Sequence, residues 1–250
     1  MSVNRRKLME ERAKKLLEKS NGSFDYFILK EGTVRMRIPQ IVEDQEFCVE
    51  VLSIFLGKEL GGIISPATFG EPCPFMELYD KLKNSDKEED IELMKKIKPR
   101  KKYLGPHYRY KDLKGKEPDL EAGVKLCMLP ASLYQDIIQM YLDDEKGDFT
   151  DPKTGYDLKY TRTGSTLTDT EYSVLDCKPT PICKEFAKKV YNPEEMVRAI
   201  IPTYEEAENL LNKFLGTQSD SDEEDDEPKK KKHKDSDSKK DKKKKKHHDK

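Results

Sequence analysis

Chemistry in this chain starts with the cations and rings between Lys95 and Lys116, KKIKPRKKYLGPHYRYKDLKGK. That stretch holds ten Lys or Arg and one acid, Asp112, in 22 residues, with tyrosines set into the basic run. A density of this kind suits a polyanion. If the residues after Pro99 form a strand, side chains alternate between faces. Lys101, Tyr103, His107, Arg109 and Lys111 then share one side and Leu104, Tyr108 and Tyr110 the other. A cationic and aromatic face fits single-stranded nucleic acid, because cations neutralise phosphates while a flat ring stacks on any base, at about 1–3 kcal/mol per base. The same residues also fit a solvated edge strand kept unpaired by its lysines. A bulge at Gly105-Pro106 would reverse the parity.

Catalytic constellations are lacking. The sequence has no phosphate-binding P-loop, no HExxH and no GxSxG. His107 is the only histidine before the terminal segment, so it reads as a phosphate or base contact rather than half of a nucleophile pair, and an enzyme is not expected. Asp148, Asp151 and Asp157 are the acids that a metal-dependent nuclease would use. Cys73 sits in Pro72-Cys73-Pro74-Phe75-Met76, the outline of a CPxC knuckle without its second thiolate. A zinc site needs about four ligands, so Cys73 and Met76 read as packing residues, and neither metal nor cofactor is expected. The segment DDEKGDFTDPKTG lacks the spacing of a calcium loop and reads as a solvated turn.

The elements that must hold the basic stretch come from the rest of the chain. Val34, Met36 and Ile38 alternate with Arg35 and Arg37, as in a half-buried strand that shows two guanidinium groups to one face. Phe47 to Leu56 reads as a central strand, and residues 57–98 as an insertion rich in Gly and Pro followed by two helical segments. Glu121 to Met128 is a further strand, and Pro130 to Leu142 a helix with Leu133, Ile137 and Met140/Tyr141 on its apolar face. Tyr156 to Thr163 and Thr170 to Asp176 form a closing hairpin that carries a second aromatic and basic pair, Tyr160 and Arg162. Asn192-Pro193-Glu194-Glu195 starts one helix; Thr203 with Glu206 starts another, which Gly216 ends.

Both ends of the chain are highly charged. Residues 5–20 read as a basic amphipathic helix in which Arg5, Arg6 and Lys7 crowd the first turn, where the helix dipole disfavours them. It is either an arm that contacts phosphate or protein, or a solvated terminal helix. From Ser219 onward there are 13 Lys and 11 Asp or Glu, leaving 35 basic and 38 acidic residues in the body. The net charge of −1 therefore hides strong local segregation. The acidic part, SDSDEEDDE, would compete with phosphate or recruit proteins, and the lysine part would raise affinity for polyanions, direct nuclear import or aid solubility. No apolar run approaches the roughly 18 residues of a membrane span. The amino terminus is too charged for a secretory signal, and the odd cysteine count, five, suits reduced thiols. A soluble, intracellular protein without a membrane partner is expected.

Short strands, an insertion, a helix between late strands and a basic aromatic face suggest an α+β chain, mainly β with added helices, built on an OB-type barrel. Over residues 1 to about 215 the sequence resembles the T-even-phage type of single-stranded DNA-binding, helix-destabilising protein. The segments that carry the resemblance are KEGTVRMRIP, TFGEPCPFMELYDKLK, KPRKKYLGPHYRYKD, VKLCMLPASLYQDI, GDFTDPKTGYDLKYTRTG with TEYSV, and PTYEEAENLL. It implies a viral protein of the host cytoplasm whose OB-fold coats single-stranded DNA in replication, recombination and repair. It also implies self-association along DNA through the arm, and replication or recombination partners recruited by the acidic tail. DNA contacts carry over to Tyr103 and its basic neighbours Arg100, Lys101 and Lys102, joined by Arg35, Arg37, His107, Arg109, Lys111, Tyr160 and Arg162. The arm role falls on Arg5, Arg6 and Lys7. Two departures stand out. Ser65 and Met76 occupy places where the family's zinc cysteines would lie, and lysines follow the acidic tail. The expected organisation is an arm at 1–22, a core at 23–215 and a disordered tail at 216–250. The competing reading is an RNA-binding or chromatin-associated protein dominated by its lysine tail.

Overall fold

The structure, a computed structural model, describes residues 26–164 and 169–222. The arm with Arg5, Arg6 and Lys7, and the tail beyond residue 222, lie outside the described residues. Two units are distinguished along the chain, Met1–Phe214 and Leu215–Lys250.

The alternation around Met36 produces β2 (Gly32–Arg37), preceded by the short β1 (Phe27–Ile28). The apolar run after Phe47 becomes β3 (Val49–Phe55), and β4 (Gly62–Ile64) folds back on it. The first part of the expected insertion therefore belongs to the sheet. β5 (Arg100–Arg109), β6 (Lys125–Leu129), β7 (Tyr156–Thr163) and β8 (Glu171–Pro179) follow. Their order is β1-β6-β5-β2-β7-β8, with β3 paired to β5 and β4 to β3. A closed barrel is not formed: among the described residues no ladder joins β8 to β1 or β4, and the sheet keeps open edges. With two residues in β1 and three in β4, neither rim matches the nine of β8.

β5 is the hub. Its first half, Arg100 to Leu104, lies opposite β3, and its middle, Tyr103 to His107, opposite β6. Its end, Tyr108 and Arg109, meets Arg37 and Met36 of β2. Gly105 is needed at the crossing, since a Cβ there would strike the Phe47 carbonyl and the Cys48 sulfur.

The helices cap as their sequences dictate. Ser65 accepts the Ala67 amide at 3.2 Å and opens a 3₁₀ turn, Pro66–Phe69. α1 (Pro74–Leu82) starts on a proline, and α2 (Glu88–Lys96) has acids in its first turn and lysines in its last, as the dipole favours. α3 (Ala131–Tyr141) buries Leu133, Tyr134 and Ile137. α4 (Pro193–Arg198) is capped by Asn192, whose side chain accepts the Glu195 amide at 3.1 Å. α5 (Tyr204–Asp222) opens with a reciprocal box in which Glu206 accepts the Thr203 amide at 2.8 Å and Thr203 accepts that of Glu206 at 3.2 Å. Gly216 does not end α5: its φ is not left-handed, the condition for a glycine stop.

The two faces of β5 meet different cores. On one, Met36, Cys127, Leu133, Ile137, Phe149 and Leu158 form the main cluster; on the other, Val51, Ile64, Leu104, Leu126 and Val197 pack together. Leu104 to Tyr108 are consequently buried, whereas Arg100 to Tyr103 emerge toward solvent.

Candidate nucleic-acid interface

Position along β5 decides which of the basic and aromatic residues reach the surface. Arg100 and Lys101 are exposed, and Lys102 and Tyr103 are half-buried. Burial, followed by the neighbouring Arg100, pulls the Lys102 ammonium below its ordinary range. Lys101 Nζ lies 2.7 Å from Glu50 Oε1, and the Tyr103 hydroxyl donates to Glu50 Oε2 at 3.0 Å. These hydrogen bonds, the one from Lys101 being the larger influence, hold the Glu50 carboxyl below the usual range. Cross-strand pairing explains the arrangement, because Glu50 stands directly opposite Tyr103.

Behind the ladder lies an aromatic shelf. Tyr103 stacks on Tyr134 of α3 at 3.9 Å, and Phe47 stands 5.4 Å from Tyr134 and 6.4 Å from Tyr141. Glu46 accepts the Tyr134 hydroxyl at 3.2 Å. A surface pocket opens here, lined by Glu46, Phe47, Tyr134 and Tyr141 among others. From the sequence Tyr141 reads as part of the helix's apolar face, and Tyr134 has no assigned role. Their separation of seven residues, which keeps them on one helical face, was the available signal.

Farther along β5 the expected DNA contacts turn inward. His107 is fully buried; Nδ1–H donates to the Gly105 carbonyl at 3.0 Å, and Nε2 accepts the Tyr160 hydroxyl at 2.9 Å. Burial lowers its pKa from 6.5 to about 4, against the opposing bond to Gly105, so the ring is neutral near pH 7. Tyr160, 1% exposed, belongs to the main core. Side chains along β5 alternate as expected, but from Leu104 to Tyr108 both faces are covered. A strand paired on both edges and covered on both faces has no solvent side at its middle. His107 and Tyr160 satisfy one another instead of meeting phosphate or base.

Arg37 is likewise buried, not displayed. Its Nη1 lies 3.3 Å from Asp157 Oδ1 and donates to the Thr180 carbonyl at 3.1 Å, while Nη2 donates to the Asp151 carbonyl at 2.9 Å. Arg35 Nε donates to the other oxygen of Asp157 at 2.8 Å, and its guanidinium sits 5.3 Å from the Tyr110 ring. The carboxylate considered for nuclease chemistry therefore serves as a buried counter-ion. Arg162 donates to the Leu29 carbonyl at 3.1 Å. Arg109 pairs with Asp119 at 2.8 Å and lies 5.3 Å from the Phe27 ring; Lys111 pairs with Glu117 at 2.6 Å. Arg109 and Lys111 keep exposed side chains but sit at the opposite end of β5 from the Tyr103 shelf.

A zinc site of the family type does not fit these residues. Cys73 is buried ahead of α1, the Ser65 hydroxyl is engaged with the Ala67 amide, and Met76 has no charge to offer the ion. Among the described residues no cluster of three His, Cys, Asp or Glu side chains is placed to hold a metal. No described helix is long and apolar enough to cross a membrane.

No curated protein matches the chain. A family model described as "gp32 DNA binding protein like" matches residues 57–216, more than half of the sequence, and spans the Glu50-paired strand, the α3 tyrosines and the closing hairpin. The chain belongs to this family, that of the T-even-phage type of single-stranded DNA-binding protein.

Proposed function

We propose that the protein coats single-stranded DNA without marked sequence preference in replication, recombination and repair. The carrying observation is the juxtaposition of Arg100, Lys101 and Lys102 with the Tyr103–Tyr134 shelf inside the segment matched by the DNA-binding family. Phosphates neutralise at the cations with release of counterions, bases stack against the shelf, and the curled open sheet acts as an OB-type platform. Binding to unpaired strands in excess over duplex pulls melting forward by mass action. The arm around Arg5, Arg6 and Lys7 supports self-association along the strand, and the acidic tail receives replication or recombination proteins, in the cytoplasm of a host cell. No catalytic step belongs to this reading.

Titration of a fluorescent oligonucleotide tests it. Affinity falls steeply with salt and single strands are preferred over duplex of the same length; equal affinity for both at matched salt overturns the reading. Removal of residues 219–250 leaves binding largely intact, which separates this function from one dominated by the lysine tail.

A further inference from the structure

Between Tyr110 and Pro118 the chain closes a small loop. Those two residues form its bridge, and the Lys111 amide donates to the Glu117 carbonyl at 2.9 Å. Inside it, Asp112 Oδ1 accepts the Lys114 amide at 2.6 Å. Gly115 turns at φ 72°, and a Cβ there would collide with the Arg35 guanidinium. From beneath, Arg35 Nη1 donates to the Lys114 carbonyl at 2.7 Å, while its Nε is held by Asp157. Asp157 is itself fixed by Arg37 and by the Tyr110 hydroxyl at 3.2 Å. Interior groups thus hold the backbone of an external loop.

The side chains on that loop point to its use. Lys114 and Lys116 are exposed and form no ion pair among the described residues, in contrast to Lys111. Leu113 beside them is 46% exposed. Two cations on a fixed backbone lose less freedom on binding than two on a flexible one.

We propose that Lys114 and Lys116 form a separate phosphate-binding site for the nucleic-acid backbone, and that Arg35 and Asp157 are its positioning residues. The inference rests on the single-stranded DNA reading and adds a contact beyond the Arg100 to Tyr103 ladder. The guanidinium of Arg35, read from the sequence as a contact, acts here through the loop it carries.

The test uses the full chain and a fluorescent oligothymidylate, titrated at several salt concentrations. Lys114→Gln with Lys116→Gln lowers the slope of log affinity against log salt by about 1.4, at roughly 0.7 per phosphate on a single strand. The same relation gives an affinity loss of roughly 10- to 30-fold at 0.1 M salt, with the urea midpoint unchanged. Asp157→Asn reduces the slope without removing any cation. Should that variant fail to fold, Gly115→Ala displaces the loop from Arg35 with the Asp157 pair intact, and it lowers the slope likewise. A wild-type slope and affinity in the double lysine variant overturn the loop site alone. Absence of single-strand binding in the wild type overturns the parent reading and this one together.

Discussion

Tyr103 and Tyr134 lie with ring centroids 3.9 Å apart and planes 12° from parallel, and each hydroxyl is held by its own carboxylate, Glu50 and Glu46. One ring comes from the hub strand and the other from α3, so the shelf joins sheet to helix. A stacked pair contributes about 0.5–1.5 kcal/mol beyond the area it buries. The platform is therefore in place before a base arrives.

Replacing Tyr103 by Ala is expected to weaken single-strand binding by about 1–3 kcal/mol, the usual worth of one base–ring contact. Tyr103→Phe keeps the ring and retains most of the affinity. Fluorescence titrations at one fixed salt concentration compare the two; equal binding by the alanine variant and wild type would remove Tyr103 from the interface.

Glu50 restrains the free protein's own cation. Its oxygens hold Lys101 at 2.7 Å and Tyr103 at 3.0 Å, so an incoming phosphate must displace a carboxylate. Glu50→Gln is expected to tighten binding at low salt, with the difference fading near 1 M as screening shortens to about 3 Å. A salt series on both proteins checks the sign, and weaker binding by the variant would contradict it.

Arg37 should matter chiefly to stability, and to DNA only through Asp157. Arg37→Met removes one of the two guanidinium groups on Asp157 and the side-chain donor of the Thr180 carbonyl, while the Asp151 carbonyl keeps the Gly155 amide. Asp157 keeps Arg35, so the expected cost in urea unfolding is about 1–3 kcal/mol, that of a buried acceptor losing its donor. The affinity of the folded fraction should fall by less than in Asp157→Asn, because Arg35 keeps its carboxylate, and an oligonucleotide titration below the unfolding transition reads this directly.

His107 gives the fold an acid sensitivity. Its folded pKa, about 4, lies below its ordinary 6.5, so the unfolded chain binds more protons between those values. Stability is complete above pH 6.5 and falls as pH drops toward 4, by about 3 kcal/mol from this group. Urea midpoints of wild type and His107→Gln across that window should converge as pH falls, because the amide takes up no proton. Parallel curves would show that the imidazole does not titrate as described.

Local pattern made several elements legible. Asn192-Pro193-Glu194-Glu195 and Thr203 with Glu206 announced α4 and α5 because a cap is written in adjacent residues. Val34 and Met36 between Arg35 and Arg37 announced β2 in the same way. The destination of those arginines was not legible: Asp157 lies 120 residues after Arg37, and nothing nearby separates a guanidinium bound to a buried carboxylate from one in water. His107 misled for a related reason. A central strand is expected to read as continuous apolar residues, whereas here Gly105, Pro106 and His107 fill the interior, the last satisfied by a hydroxyl from β7. At the candidate site, Arg100 to Tyr103 stood out by composition, while Tyr134 also packs in the core and its spacing to Tyr141 was the one faint mark of the shelf.

The pairing of β2 sets an order on assembly. Its neighbours are the end of β5, at Tyr108 and Arg109, and β7, from Leu158 to Arg162. On a ribosome that segment emerges early, and gains one flank only once Arg109 is made and the other only once Arg162 is made. Contacts so distant in sequence slow folding. Amide hydrogens between Gly32 and Arg37 should therefore gain protection late in refolding, after those joining β3 to β4.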